Sequence, residues 1–201
     1  METIRVFRDS RGPQFQDLGG PCECFKSDWF GRQLKQKSSF LFWVDKKRFH
    51  FLAEAHFGPG IAHPESRAGE FTPELWKYDV SEFFLSDPSS GRYLEFNLAP
   101  NGAWWSCGFS GPRQPATGEP SAIPGVRTAS RQESNFWQVH ASLPLQWLED
   151  HYHWGEASRL NATMIVNSPD QLFLTAGPSR SGAPDFHRPD AFPRVKFIAL
   201  A

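Results

Sequence analysis

Val80-Ser-Glu-Phe-Phe-Leu-Ser86, Asp87-Pro-Ser-Ser-Gly91, Arg92-Tyr-Leu-Glu-Phe-Asn-Leu98, Ala99-Pro-Asn-Gly102 and Ala103-Trp-Trp-Ser-Cys-Gly-Phe109 follow one another without a break. Three runs rich in aromatic and apolar residues alternate with two turn signals, which predicts an antiparallel three-stranded meander over 80–109. In the middle run the period is two: Leu94, Phe96 and Leu98 face one way, and Tyr93, Glu95 and Asn97 the other. A four-residue hairpin loop over Pro88–Gly91 makes Asp87 pair with Arg92. Counting back, Glu82 then stands opposite Asn97 on the polar face, and Ser81, Phe83 and Leu85 join the buried one. Asn101-Gly102 supplies the positive φ that the second tight turn needs.

Outward from this stretch the pattern stays β. Phe40–Val44 and Phe49–Phe57 flank Asp45-Lys46-Lys47 and read as a hairpin, followed by a Gly- and Pro-rich loop over 58–75. Strand signals recur at Asn135–Leu143, Leu160–Asn167, Gln171–Thr175 and Arg194–Leu200, with one short helix at Leu145–Tyr152. The Pro- and Gly-rich stretch 110–134 reads as a loop-rich insertion. Eight or more short strands joined by long loops in 201 residues predict one all-β domain over 1–201, a jelly-roll-like β-sandwich of two antiparallel sheets.

Composition agrees. The chain has 19 Phe, 8 Trp, 17 Pro and 16 Gly against 2 Met, which excludes a coiled coil, a helix bundle and a disordered chain. With 21 Lys and Arg against 22 Asp and Glu, there is no basic surplus for nucleic acid or for an anionic membrane surface. No apolar run is long enough to span a bilayer as a helix, and the first residues form no signal-peptide core, so the expectation is a cytoplasmic chain. Three cysteines, Cys22, Cys24 and Cys107, are too few for a disulfide framework and read as reduced thiols.

Several motifs point to chemistry weakly. Gly108-Phe-Ser-Gly-Pro112 is close to a nucleophile elbow but has Pro where the last Gly belongs, and reads as a strand end. His151 and His153 are spaced for metal on one face of a strand, with no third ligand nearby. Asn161-Ala-Thr163 fits the glycosylation pattern but falls in a predicted strand. Glu82 and Glu95 form a carboxylate pair of the kind glycoside hydrolysis uses. The stronger signal is polar groups beside aromatics. Tyr93, Glu95 and Asn97 share one strand face in a chain rich in flat rings. Sugars bind where aromatic faces meet C–H surfaces and carboxylates or amides meet hydroxyls.

Leu75-Trp-Lys-Tyr-Asp-Val-Ser-Glu-Phe-Phe-Leu-Ser86 resembles the Trp-x-x-Asp-x-x-Glu pattern of family 9 carbohydrate-binding modules and the wider DOMON-like superfamily. Tyr93–Trp105 resembles the strand pair that follows it, Phe40–Glu54 the preceding hairpin, and Pro184–Phe192 the C-terminal signature, in the family's order. The resemblance implies a β-sandwich that binds sugar without catalysis, two Trp clamping the ring while strand polar groups hold its hydroxyls. Trp76 matches the first clamp and Glu82 the carboxylate. Asn97 stands where the family has Arg, and Phe186 near where it has the second Trp. It also implies a structural calcium ion, whose ligands it does not place here. Haem bound through axial His or Met is the alternative that other DOMON-like domains suggest. A small hydrolase using Glu82 and Glu95 is the alternative from the enzyme class.

Overall fold

The computed structural model describes residues 2–8, 22–178 and 181–199. Among these lie thirteen strands and one α-helix. The strands are β1 (Thr3–Arg8), β2 (Glu23–Cys24), β3 (Ser38–Val44), β4 (Arg48–Ala55), β5 (Val80–Ser86), β6 (Tyr93–Leu98) and β7 (Trp104–Gly111). They continue as β8 (Gln114–Pro115), β9 (Arg127–Gln132), β10 (Trp137–Pro144), β11 (Arg159–Val166), β12 (Leu172–Thr175) and β13 (Arg194–Ala199). Helix α1 is Leu145–Tyr152, the segment expected. Leu200, the expected end of the last strand, lies outside the described residues.

Hydrogen bonding runs β8-β7-β6-β5-β11-β13-β1-β3-β4-β10-β9, with β12 on β11 and β2 on β3. The path is continuous but folds back on itself: β11 and β13 share a single register pair, Arg159 with Arg194. The two leaves meet through phenylalanines. Phe83 of β5 lies 6.0 Å from Phe42, 5.4 Å from Phe49 and 5.4 Å from Phe51 on the other leaf, and stacks on Phe96 at 5.1 Å. Rings in this tilted and T-shaped packing contribute about 0.5–1.5 kcal/mol per pair beyond their buried area. This is the β-sandwich that the alternating strands predict.

The meander has the predicted register. Glu82 pairs with Asn97 and Leu85 with Leu94, and the Asp87 amide donates to the Arg92 carbonyl at 2.9 Å. Ser81, Phe83, Leu85, Leu94, Phe96 and Leu98 are all buried. The first turn is tied by Asp87, whose carboxylate accepts from the Ser89 amide, the Ser89 and Ser90 hydroxyls, and His153 at 2.8 Å. Burial opposes that charge, but these hydrogen bonds hold the carboxyl well below the usual carboxylate range. In the second turn only Gly102 takes positive φ (87°). Asn101 instead accepts the Ala103 amide on its side chain, and Ala99 and Ala103 close a three-residue loop.

Three expectations change. Thr3–Arg8 is a strand with Ile4 and Val6 fully buried. It runs parallel to both its neighbours, β13 and β3, so the sheet is mixed rather than wholly antiparallel. The 110–134 stretch is not all loop: it completes β7, turns through Arg113 (φ 56°) into β8, then crosses to the other leaf, where β9 pairs with β10. Asn161 and Thr163 sit on β11 and are buried, so that motif is a piece of sheet. The Gly108–Pro112 stretch is a strand end as expected. A Cβ at Gly108 would lie 2.6 Å from the Tyr152 hydroxyl, so a larger residue there would push the Tyr152 side chain aside.

Candidate functional site

The outer face of β5-β6-β7 and β11 is buried too. Val80, Glu82, Phe84, Tyr93, Glu95, Asn97, Trp105, Cys107 and Phe109 point away from the phenylalanine core, yet each is under 9% exposed. Two loop segments cover them. The first, 58–79, ends in a 3-10 turn, Leu75–Lys77. Asp79 pins it, its carboxylate accepting the Ile61 amide at 3.0 Å and the Ser168 amide at 2.8 Å. The second, 184–192, carries the turn Pro189–Ala191. Leu75 and Phe192 drop onto the sheet as anchors, in one apolar cluster with Phe84 and Tyr93.

Between the loops and the sheet lies a cavity of about 340 Å³. Its walls are six aromatic side chains: Trp76, Phe84, Trp105, Phe109, Phe173 and Phe186. Trp76 stands edge-on to Trp105, centroids 5.4 Å apart, and remains 38% exposed. Phe186, half-buried, leans on Phe173 (6.3 Å), Phe84 (6.4 Å) and Trp29 (5.8 Å).

The polar groups on the cavity are Glu82, Glu95, Arg113 and His187. The Thr163 hydroxyl donates to Glu82 Oε2 at 2.7 Å. Asn97 Nδ2 donates to Glu95 Oε1 at 3.1 Å, and His187 Nε2 approaches Glu95 Oε2 at 3.5 Å. The Arg113 amide donates to the Tyr93 oxygen at 3.1 Å, and Tyr93 Oη and His187 Nδ1 share a hydrogen bond of 2.8 Å. Burial pushes both glutamates up. Thr163 partly offsets this for Glu82, and the Glu82 charge raises Glu95 further. Burial, with the Arg113 charge, pushes His187 down to about 4, so its imidazole is neutral at neutral pH. Arg113 itself is spent on Asp185, 2.9 Å away.

Of the residues singled out in the sequence, Trp76, Glu82 and Phe186 line this one cavity. Asn97 lies opposite Glu82 but is fully buried and reaches the cavity only through Glu95. Among the described residues its Oδ1 has no hydrogen-bond partner, and neither has the indole N–H of Trp105, the residue paired with it across the ladder. Sequence reasoning did not reach Arg113, Phe173 or His187. Trp105 and Phe109 carried a signal, since they continue the outward period of β7.

Among the described residues no three of His, Cys, Asp and Glu converge on a metal position. His151 caps back onto the Trp147 carbonyl while His153 turns to Asp87, so the two imidazoles diverge. For haem, His187 is the imidazole on the cavity wall, and both its nitrogens face protein groups; Met164 lies in the core between the leaves. Cys24, exposed, and Cys107, buried, are free thiols. No helix among the described residues is long and apolar enough to cross a membrane.

Solved structures share this fold. A candidate carbohydrate-binding protein from Bacteroides uniformis ATCC 8492 superimposes with a TM-score of 0.72 at 16% identity, covering 98% of this chain and 99% of that one. A family 9 carbohydrate-binding module from Caldicellulosiruptor kristjanssonii, in complex with glucose, gives 0.62 at 12% identity over 98% and 97% of the two chains. The module from that organism in complex with cellotriose gives 0.64 at 12% over 99% and 95%. No protein-family model matches the sequence. Two mammalian proteins do. The UPF0462 protein C4orf33 homolog of Mus musculus is 27% identical over 144 residues, 68% of this chain and 70% of its own. That of Rattus norvegicus is 31% identical over 144 residues, 68% of each chain, and on that likeness the protein belongs to the UPF0462 family.

Proposed function

We propose that this protein is a non-catalytic carbohydrate-binding domain, holding a sugar between Trp76 and Phe186 above Glu82 and Glu95. The observation that carries the reading is the cavity itself: six aromatic walls over a floor of hydrogen-bonding carboxyls, open at Trp76. Aromatic faces take the C–H surfaces of a pyranose, and carboxyls take its hydroxyls. Asn97 serves this site by orienting Glu95. The shared fold with carbohydrate-binding modules supports the reading.

Hydrolysis by the Glu82–Glu95 pair is the competing reading. A glycosidase places its two carboxyls on either side of the scissile bond. Here Glu82 and Glu95 rise from adjacent strands onto one floor. The test is a glycan array probed with wild-type protein and Trp76→Ala, alongside chromogenic glycosides. Sugar-dependent signal lost in the variant, with no turnover, supports the reading. Turnover that disappears in Glu82→Gln would replace it with the hydrolase.

A further inference from the structure

The cavity floor holds two acids, and the cation near them among the described residues is Arg113, whose charge lowers Glu95 but whose side chain is paired with Asp185. Glu82 is 2% exposed and Glu95 5%. They are diagonal neighbours on paired strands, and their hydrogen-bond donors are neutral: the Thr163 hydroxyl and the Asn97 amide. Every charged or titratable group that faces them is accounted for. His187 is neutral, Tyr93 is occupied by His187 and Arg113, and Cys107 is a buried thiol beside Glu95. Arg113 is at the rim, held by Asp185. Among the described residues, Thr163 is the group that hydrogen-bonds Glu82, and it engages only Oε2. Six aromatic rings, whose faces are electron-rich, enclose the space above.

Such a lining is complementary to a positive charge. A neutral sugar hydroxyl satisfies one carboxyl oxygen and brings no charge that would favour the ionised pair. An ammonium group both neutralises the floor and sits against aromatic faces that attract cations. We infer that the sugar preferred by this cavity bears a free amino group, a hexosamine in its ammonium form over the corresponding neutral hexose. This rests on the carbohydrate reading above and adds the charge of the ligand to it. Its chemical signature is proton release: the ammonium favours the ionised floor, so protons held by Glu82 and Glu95 leave as it binds.

The experiment is titration calorimetry of the wild-type protein near neutral pH with three probes on one skeleton: glucose, glucosamine and N-acetylglucosamine. Repeating each titration in two buffers of different ionisation enthalpy reads proton release. The expected result is glucosamine about tenfold or more tighter than glucose, with protons released for glucosamine alone. N-acetylglucosamine, whose nitrogen is neutral, should show no such advantage. Glu95→Gln should erase the preference, and the proton count on wild type decides the matter should that variant not fold. Glucose or N-acetylglucosamine binding as tightly as glucosamine, or glucosamine binding without proton release, overturns the inference and leaves the carbohydrate reading standing. If none of the sugars binds, this inference falls together with the reading it rests on.

Discussion

The two faces of the β5-β6 ribbon are buried almost equally and built differently. On the inner face Phe83, Leu85, Leu94 and Phe96 meet the opposite leaf, and hydrocarbon packs on hydrocarbon. On the outer face, the same strands bury Glu82, Glu95 and Asn97 among Phe84 and Trp105 under two loops, around a space of about 340 Å³. Burying an apolar ring stabilises the fold, whereas burying a carboxyl costs unless something answers it. The inner face is therefore explained by folding alone. The outer face carries polar groups that folding does not need, and their use is to be sought in what fills the cavity.

The contrast is easiest to break on the inner face. Phe83→Ala removes a ring packed against Phe42, Phe49, Phe51 and Phe96 and is expected to cost about 3–5 kcal/mol, seen as a large drop in melting temperature. Trp76→Ala should behave in the opposite way. A partly exposed ring on a loop contributes little to folding, so the melt should stay within a few degrees. Sugar affinity should fall about tenfold to a hundredfold, by analogy with ring stacking on bases at roughly 1–3 kcal/mol. A collapsed melt would instead move Trp76 to the core side of the comparison. Phe186→Ala should lose a similar or smaller factor, because Phe presents less surface than Trp. Loss of binding only in Phe186→Ala would reverse the assignment of the two walls.

The smallest effect is on the pH profile of stability. Burial raises Glu82 and Glu95, so the folded state holds more protons than the unfolded chain above the ordinary carboxylate range. Their contribution is full at acid pH and is lost as pH rises through the raised values. His187, depressed to about 4, acts in the opposite sense, destabilising below its ordinary range. Subtracting the Glu82→Gln melting profile from that of wild type isolates the carboxyl. The difference should shift against wild type from acid toward neutral pH, by a few degrees. A difference that is flat across that range would mean the floor is not strained.

Much of the sandwich was legible because its strands obey a period of two and its turns carry Pro, Gly, Asn and Asp. The Glu82–Asn97 register and the helix at Leu145–Tyr152 follow from that local chemistry. β1 was missed because Ile4 and Val6 make too short an alternation to announce a strand, and its parallel partners lie far along the chain. β9 was hidden in Arg127-Thr-Ala-Ser-Arg-Gln132, an edge strand whose side chains are mostly exposed and so carry no apolar pattern. At the site, Trp76, Glu82 and Phe186 were reached through family resemblance, and Trp105 and Phe109 lie in a readable period. Arg113 and His187 come from loops, where position is set by turns and long-range contacts that leave no periodic mark.

The account's central claim is that a sugar occupies the aromatic cavity, and direct titration with soluble mono- and oligosaccharides tests it. Trp76 and Trp105 line the cavity, so intrinsic tryptophan fluorescence reports its occupancy, with calorimetry as the second readout. Saturable binding is expected, with a dissociation constant on the order of micromolar to millimolar and a fluorescence change at the same midpoint that Trp76→Ala weakens. A folded protein that shows no saturable response to any sugar up to tens of millimolar, on the order of the weakest specific affinities, would contradict it.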